Sequence, residues 1–125
     1  MPTAGPGGET GVDRVAVERE IERLHEASEC LRGHLAASAE VSRELIAAVH
    51  RGDPLDGTLQ RLAFSQWRPT ITAALAEYER ARRRARLGLM ALAAAQGMTV
   101  DDVASHWAIT KQLAARSLRD ATEGP

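Results

Sequence analysis

The sequence predicts an all-α protein: a long antiparallel helical hairpin, coiled-coil-like, followed by two short C-terminal helices. Three observations predict this class. Alanine supplies 23 of the 125 residues, aromatic side chains supply only 3%, and apolar residues recur at alternating spacings of three and four. The composition favours thin helix packing and disfavours a β-sandwich or barrel, which needs β-branched and aromatic residues.

Several functional classes are excluded at this level. Cys30 is the single cysteine, so no disulfide can form within the chain. No stretch of about 18 apolar residues predicts a membrane span, and the start of the chain lacks a signal-peptide pattern, so we expect a cytoplasmic protein. A glycine-rich phosphate loop and a nucleophile with its base are also missing from the sequence, so we expect no enzyme and no cofactor.

The first helix is predicted from a row of heptad-spaced positions, which we call its seam. Residues 1–11 contain four glycines and two prolines and are predicted to be a disordered leader. Beyond them, heptad spacing links ten positions: Val17, Ile21, Leu24, Ser28, Leu31, Leu35, Ser38, Ser42, Leu45 and Val49. The pattern predicts a helix of about 38 residues in a coiled coil. Gly52 and Pro54 are predicted to end it.

The second arm of the hairpin is predicted after a short helix at 55–66. Pro69 fits the first turn of a third helix that runs to about Gln96. Its seam positions are Ile71, Leu75, Tyr78, Arg82, Ala85, Leu89 and Leu92. An antiparallel register in which paired residue numbers sum to 120 matches the two seams, for example Val49 with Ile71, and brings Gly33 nearly opposite Gly88. Residues 12–96 are therefore predicted to form a helical hairpin and dimerisation region.

Polar residues interrupt both seams: Ser28, Ser38, Ser42 and Arg82. We interpret them as layers that set the register, in preference to a polar pocket for an effector.

The C-terminal segment carries the functional signal. Gly97 is predicted to close the long helix, and Thr99 with Asp102 resembles a capping box that starts a helix over Val100–Trp107. Ala108, Ile109 and Thr110 interrupt this helix before a last amphipathic helix at 111–120. Six side chains are predicted to share one core, with support from Leu87, Met90 and Ala94: Val103, Ala104, Trp107, Ile109, Ala114 and Leu118. These are the requirements of a helix-turn-helix over residues 97–121, leaving 122–125 as a tail.

The run VDDVASHWAITKQLAARSL, residues 100–118, resembles the helix-turn-helix DNA-binding regulators, and more loosely the small helical regulators of high-GC (actinobacterial-type) bacteria. The resemblance covers under a fifth of the chain. It implies that Thr110 caps a recognition helix that lies in the major groove of double-stranded DNA. The residues it places on the open face are Lys111, Gln112, Ala115, Arg116 and Arg119. Ala108 stands where the family usually has glycine, and a positive φ there would cost about 1 kcal/mol.

Useful specificity needs two half-sites, so the sequence predicts a homodimeric transcriptional regulator. The first helix also carries a second, weaker apolar stripe, made of Cys30, Ala37, Val41 and Ala48. We expect this stripe to join two copies. The rival interpretation is a helical protein–protein interaction module, such as a sigma-factor or regulator partner, whose terminal motif does not bind DNA.

Two further clusters leave alternatives open. Five arginines surround most of the third helix: Arg80, Arg82, Arg83, Arg84 and Arg86. Of these, Arg83, Arg84 and Arg86 are the candidate phosphate contacts. The alternative is that the cluster is solvated or pairs with acids of the first helix, of which Glu40 is best placed and Glu44 and Glu29 lie nearby. His25, Cys30 and His34 suggest a metal site, but structural zinc sites show four clear ligands, so we expect none.

Overall fold

A computed structural model describes residues 12–123 of the chain. Within this range the chain forms five helices and no strand: α1 Arg14–Arg51, α2 Leu55–Arg61, α3 Phe64–Ala95, α4 Val100–Trp107 and α5 Lys111–Glu123. The predicted all-α class is confirmed. The predicted leader at 1–11 and the last two residues of the predicted tail lie outside the described residues. No helix between residues 12 and 123 has the length and apolarity needed to cross a membrane.

α1 begins and ends at capping residues. Asp13 Oδ1 accepts hydrogen bonds from the N–H groups of Val15 and Ala16 at 3.0 and 3.2 Å, which satisfies two donors of the first turn. At the other end Gly52 takes a φ of +78°, and the Asp53 N–H donates to the Ala48 carbonyl at 3.0 Å. This left-handed cap confirms the predicted end of a 38-residue helix.

The boundary between α2 and α3 differs from the prediction. α2 ends at Arg61, five residues before the predicted end at 66, and α3 begins at Phe64. Pro69 is therefore the sixth residue of α3, inside the helix rather than at its start. Ala63 makes the break with a φ of +51°. Packing of the Phe64 and Trp67 rings, with centroids 5.3 Å apart, stabilises the extra turn that precedes the proline.

The chain packs as two compact units. One contains residues 24–80; the other combines residues 12–23 with residues 81–123. We call them the central unit and the terminal unit. α1 and α3 each pass through both, so the boundary between the units falls inside two continuous helices.

The inward face of α1 includes six of the ten predicted seam positions. Val17 and Leu31 are buried, and Leu24, Ser28, Ser38 and Leu45 are half-buried, as predicted. The other four positions are wrong: Ile21, Leu35, Ser42 and Val49 are exposed. The residues that turn inward instead, each one position earlier, are Glu20, His34, Val41 and Ala48, and Ala27 turns inward beside Ser28. The predicted second stripe is wrong for the same reason, because Val41 and Ala48 lie on the inner face.

α3 keeps most of its predicted seam: Ala85 is buried, and Ile71, Tyr78, Leu89 and Leu92 are half-buried. Leu75 and Arg82 are exposed, so the prediction is wrong at these two positions. Along this part of the seam the inward face shifts by one residue, to Ala74, Ala81 and Gly88. The shift brings the smallest side chains to the helix contact, which lets helix axes approach more closely than layers of leucine allow. The alanine-rich packing expected from composition is present, but on a different face.

In the terminal unit the helix contact departs from the predicted register. Gly88 lies against Val17: a Cβ added to the glycine would be 3.5 Å from Val17 Cγ2. These residue numbers sum to 105, whereas the predicted register requires 120. The difference of 15 displaces the pairing by about 7 residues, or roughly 11 Å along each helix. Gly33 has no neighbour within 4 Å of its Cβ position, so the close backbone approach expected there is wrong.

Candidate nucleic-acid interface

α4 begins with a reciprocal cap. Thr99 Oγ1 accepts from the Asp102 N–H at 3.0 Å, and Asp102 Oδ2 accepts from the Thr99 N–H at 3.0 Å. The sequence prediction of a capping box is confirmed. The hydrogen bond from the Thr99 backbone, reinforced by that with its side chain, lowers the pKa of Asp102. The carboxylate is thus held in its charged form, and its negative charge interacts favourably with the positive end of the helix dipole.

The turn between α4 and α5 depends on Ala108. This residue has φ 54° and ψ 47°, in the left-handed region. The Ile109 N–H donates to the Ala104 carbonyl at 3.0 Å and closes the end of α4. The sequence marked Ala108 as the position where glycine is usual, and the positive φ is present. The turn is therefore strained at one residue, while the N–H groups of Ala108 and Ile109 both donate to carbonyls of α4.

A small apolar core fixes α5 against α4. Val103, Ala114, Met90 and Ala93 are buried together, and the first two of these join α4 to α5. The residues packed around them are Met98, Val100, Ala104, Trp107, Ile109, Leu118 and Ala121. All six predicted core residues belong to this cluster. Met90 supplies the predicted support from α3, with Ala93 in place of Ala94.

The outer surface of α5 starts at Thr110. Its Oγ1 accepts from the Leu113 N–H at 3.1 Å, and its carbonyl accepts from the Ala114 N–H at 2.9 Å. The N–H groups of Lys111 and Gln112 therefore stay outside the helical hydrogen-bond ladder, and the positive end of the helix dipole faces outward. This arrangement suits a phosphate.

Most of the predicted interface residues share this surface. Thr110, Gln112, Arg116 and Arg119 line one shallow concave surface together with Leu113. Lys111 is exposed beside it, whereas Ala115 is half-buried and is not part of the open face. The sequence analysis missed Leu113. Its spacing of three residues from Arg116 places the two side chains on the same face of a helix, so the spacing could have identified it.

The charges on this surface are largely free. Lys111 Nζ lies 3.3 Å from Asp101 Oδ1, with side chains 76% and 71% exposed. Such exposed pairs contribute only about 0–1 kcal/mol, so a phosphate can displace the carboxylate at little cost. Within residues 12–123, Gln112, Arg116 and Arg119 have no hydrogen bond or ion pair from their side chains.

The second arginine cluster lies near the other end of α5. Arg83, Arg84 and Arg86 line a groove with Asp120 and Ala121, about 15 Å along α5 from Thr110 at 1.5 Å per residue. None of the three forms an ion pair in the described part of the chain. The acids considered as their partners pair elsewhere, in the pairs Glu40–Arg43, Glu44–Arg61 and Glu29–Arg32. Arg83, Arg84 and Arg86 therefore do not form the pairs considered with these acids, and the other two interpretations, a solvated face and phosphate contact, stay predictions.

The metal candidates do not assemble. Cys30 is exposed, and across residues 12–123 no group of three or more histidine, cysteine or acidic side chains is placed to hold a metal ion.

Comparison with protein-family models, curated proteins and solved structures gives no match for this chain. The geometry of the outer surface of α5 offers a capped helix N-terminus for an anion, an amide with both a donor and an acceptor, and two free guanidinium groups on one face of a helix held by a core.

Proposed function

We propose that the chain is a sequence-specific DNA-binding transcriptional regulator that acts as a homodimer. In this proposal α4 and α5 form a helix-turn-helix, and residues 110–120 lie in the major groove. One observation carries it: Gln112, Arg116 and Arg119 are exposed together on the helix that Thr110 caps, and their side chains have no partner within residues 12–123. No catalytic activity is proposed.

The residue chemistry suits base recognition. The side-chain amide of Gln112 can bond an adenine through two hydrogen bonds, and the guanidinium of Arg116 can bond a guanine in the same manner. Gln112 and Arg119 are seven residues apart, about 10 Å along the helix at 1.5 Å per residue. That length is close to three base-pair steps of 3.4 Å. Thr110 and the free N–H groups would hold a backbone phosphate, which fixes position rather than sequence.

DNA binding is tested by fluorescence anisotropy on a duplex selected from source-genome fragments, at two salt concentrations. We expect the affinity to fall steeply with salt. Arg116→Ala is expected to reduce discrimination between matched and mismatched duplexes by about 1–3 kcal/mol. Arg68→Ala, which removes an exposed arginine from the central unit, is the matched control and should change nothing. Absence of affinity for any duplex at low salt would refute the proposal.

An exposed apolar face of α1 supports the homodimer. Leu35, Ile46 and Val49 are 50%, 70% and 71% exposed. At 100° per residue they lie within about 60° of one another around the helix, so they form one stripe in the central unit. We propose that the same stripe of a second copy covers it, since a single recognition helix binds DNA too weakly for useful specificity.

Sedimentation of the purified protein tests the dimer. The wild type should sediment as a dimer at micromolar concentration, and Leu35→Glu as a monomer with unchanged helicity. Val15→Glu is the matched control, because Val15 is also exposed but lies about 160° from Leu35 around α1 at 100° per residue. A monomeric wild type, or a dimeric Leu35→Glu variant, would contradict this assignment.

The alternative function is a helical protein–protein interaction module. The same apolar stripe favours it, because a partner's helix could cover Leu35 and Val49 as a second copy would. The ion pair of Lys111 with Asp101 also fits this alternative. A monomeric wild type without affinity for DNA would favour the module, whereas salt-dependent binding that is sensitive to Arg116→Ala would favour the regulator.

A further inference from the structure

The terminal unit contains a groove outside the proposed DNA-binding face. It lies among the start of α1, the second half of α3 and the end of α5, with a volume of about 920 Å³. This volume is within the range of small-molecule sites. Each of the three helices contributes one apolar residue to its surface: Ala16, Leu87 and Ala121.

Arg86 gives the groove an unsatisfied donor. Its side chain lines the groove, and its Nε is buried without a hydrogen-bond partner among the described residues. Buried donors of this kind are rare in native proteins, because a buried N–H that has lost water and gained no acceptor costs free energy. A rotation of the Arg86 side chain toward the groove would let an acceptor of a ligand satisfy this donor.

The charge of the groove favours an anion. Arg83 and Arg84 add two guanidinium groups that form no ion pair with any described residue, against the carboxylates of Glu20 and Asp120. Glu20 already accepts a hydrogen bond from Arg23 at 2.6 Å, which offsets its charge. The net charge facing the groove is therefore positive, while much of its surface is apolar.

We propose that this groove binds a small amphipathic anion, a carboxylate or sulfonate attached to an apolar body. The anionic group lies on the Arg86 guanidinium, whose planar donors match two acceptor oxygens. The apolar body contacts Leu87, Ala16 and Ala121. A bare inorganic anion fits less well, because it would leave these apolar contacts unmade. The assignment does not depend on DNA binding.

The test is a fluorescence titration of the full chain with 8-anilinonaphthalene-1-sulfonate, an anion of this chemistry. We expect saturable binding of one probe per chain. Arg86→Gln should weaken binding at least tenfold, and Ala121→Leu should weaken it by filling the apolar side. Arg68→Gln, an exposed arginine of the central unit, should bind as the wild type does. Far-UV circular dichroism shows which variants keep their fold, and Ala121→Leu remains informative if Arg86→Gln unfolds.

Competition with the bound probe distinguishes the contribution of the anionic group to binding from that of the apolar body. Octanoate should displace the probe, whereas octanol and inorganic phosphate at the same concentration should not. Unsaturable binding, equal affinity of the Arg86→Gln and Arg68→Gln variants, or equal displacement by octanol would each overturn the proposal.

Discussion

Replacing Ala108 by glycine is expected to stabilise the protein. Ala108 holds a left-handed conformation of φ 54° and ψ 47°, and its methyl group is exposed, so the substitution removes no packing. A non-glycine residue in this region costs about 1–2 kcal/mol. Glycine removes that cost but raises the entropy of the unfolded chain, at about 0.4–1 kcal/mol. The expected net gain is about 0.5–1 kcal/mol, or roughly 2–6 °C in Tm for a chain of this size.

The measurement is urea unfolding followed by circular dichroism and tryptophan fluorescence. Ala36→Gly is the matched control: it is the same chemical change at an exposed position inside α1, where glycine should cost about 1 kcal/mol. The two variants are thus expected to differ in sign. If Ala108→Gly lowers the free energy of unfolding as much as Ala36→Gly does, the turn carries no strain and the reasoning is refuted.

Further predictions concern packing and capping. A Cβ at Gly88 would lie 3.5 Å from Val17, so Gly88→Ala is expected to be tolerated. Gly88→Leu is expected to lower the free energy of unfolding in urea by about 1–3 kcal/mol. Equal stability of the two variants would contradict the close contact. Met90→Ala should cost about 2–5 kcal/mol in the same assay because Met90 is fully buried, and a loss below 1 kcal/mol would contradict its place in the core. Thr99→Ala should cost about 1 kcal/mol by removing the α4 cap, and an unchanged unfolding midpoint would argue against that cap. Because the Thr99 hydrogen bonds lower the pKa of Asp102, its ionisation stabilises the fold above the ordinary value of about 3.9, and this contribution is lost as pH falls through the lowered value. An NMR titration of the Asp102 carboxyl should show a midpoint below that value, and a midpoint at or above it would disprove the effect.

Helix ends were predictable because their signals are local. Gly52 and Gly97 both adopt a positive φ where the sequence placed a helix end, and Thr99 with Asp102 forms the reciprocal cap that their spacing predicts. The α2–α3 boundary was not predictable in this way. Ala63 adopts a left-handed conformation without being glycine or asparagine, and Pro69 gave a misleading start signal from inside the helix.

The inward face of the long helices depends on information that no single helix contains. Two alternating patterns fit α1 equally well in spacing, one through Ile21 and Leu35 and the other through Ala27 and Ala48. Hydrophobicity favoured the first, yet the helix turns the second inward. The size of the partner's side chains decides between them, and α3 offers alanine and glycine at its contact.

The face of α5 was better predicted than the groove beside it. The spacing of Gln112, Arg116 and Arg119 on one helix is readable from the sequence, and these side chains do share a surface. The groove combines Ala16, Arg86 and Asp120 from three helices, and only the folded chain brings them together.

The buried place of Met90 bears on how the C-terminal segment can be transplanted. Met90 and Ala93 lie in α3, yet they complete the core of α4 and α5 around Val103 and Ala114. A fragment that begins at Gly97 and is fused to another protein would lose both residues, and α4 and α5 would lose the α3 side of their core. A fragment that keeps this fold must include the α3 segment with Met90 and Ala93, so the last 29 residues alone are not expected to fold in a fusion protein.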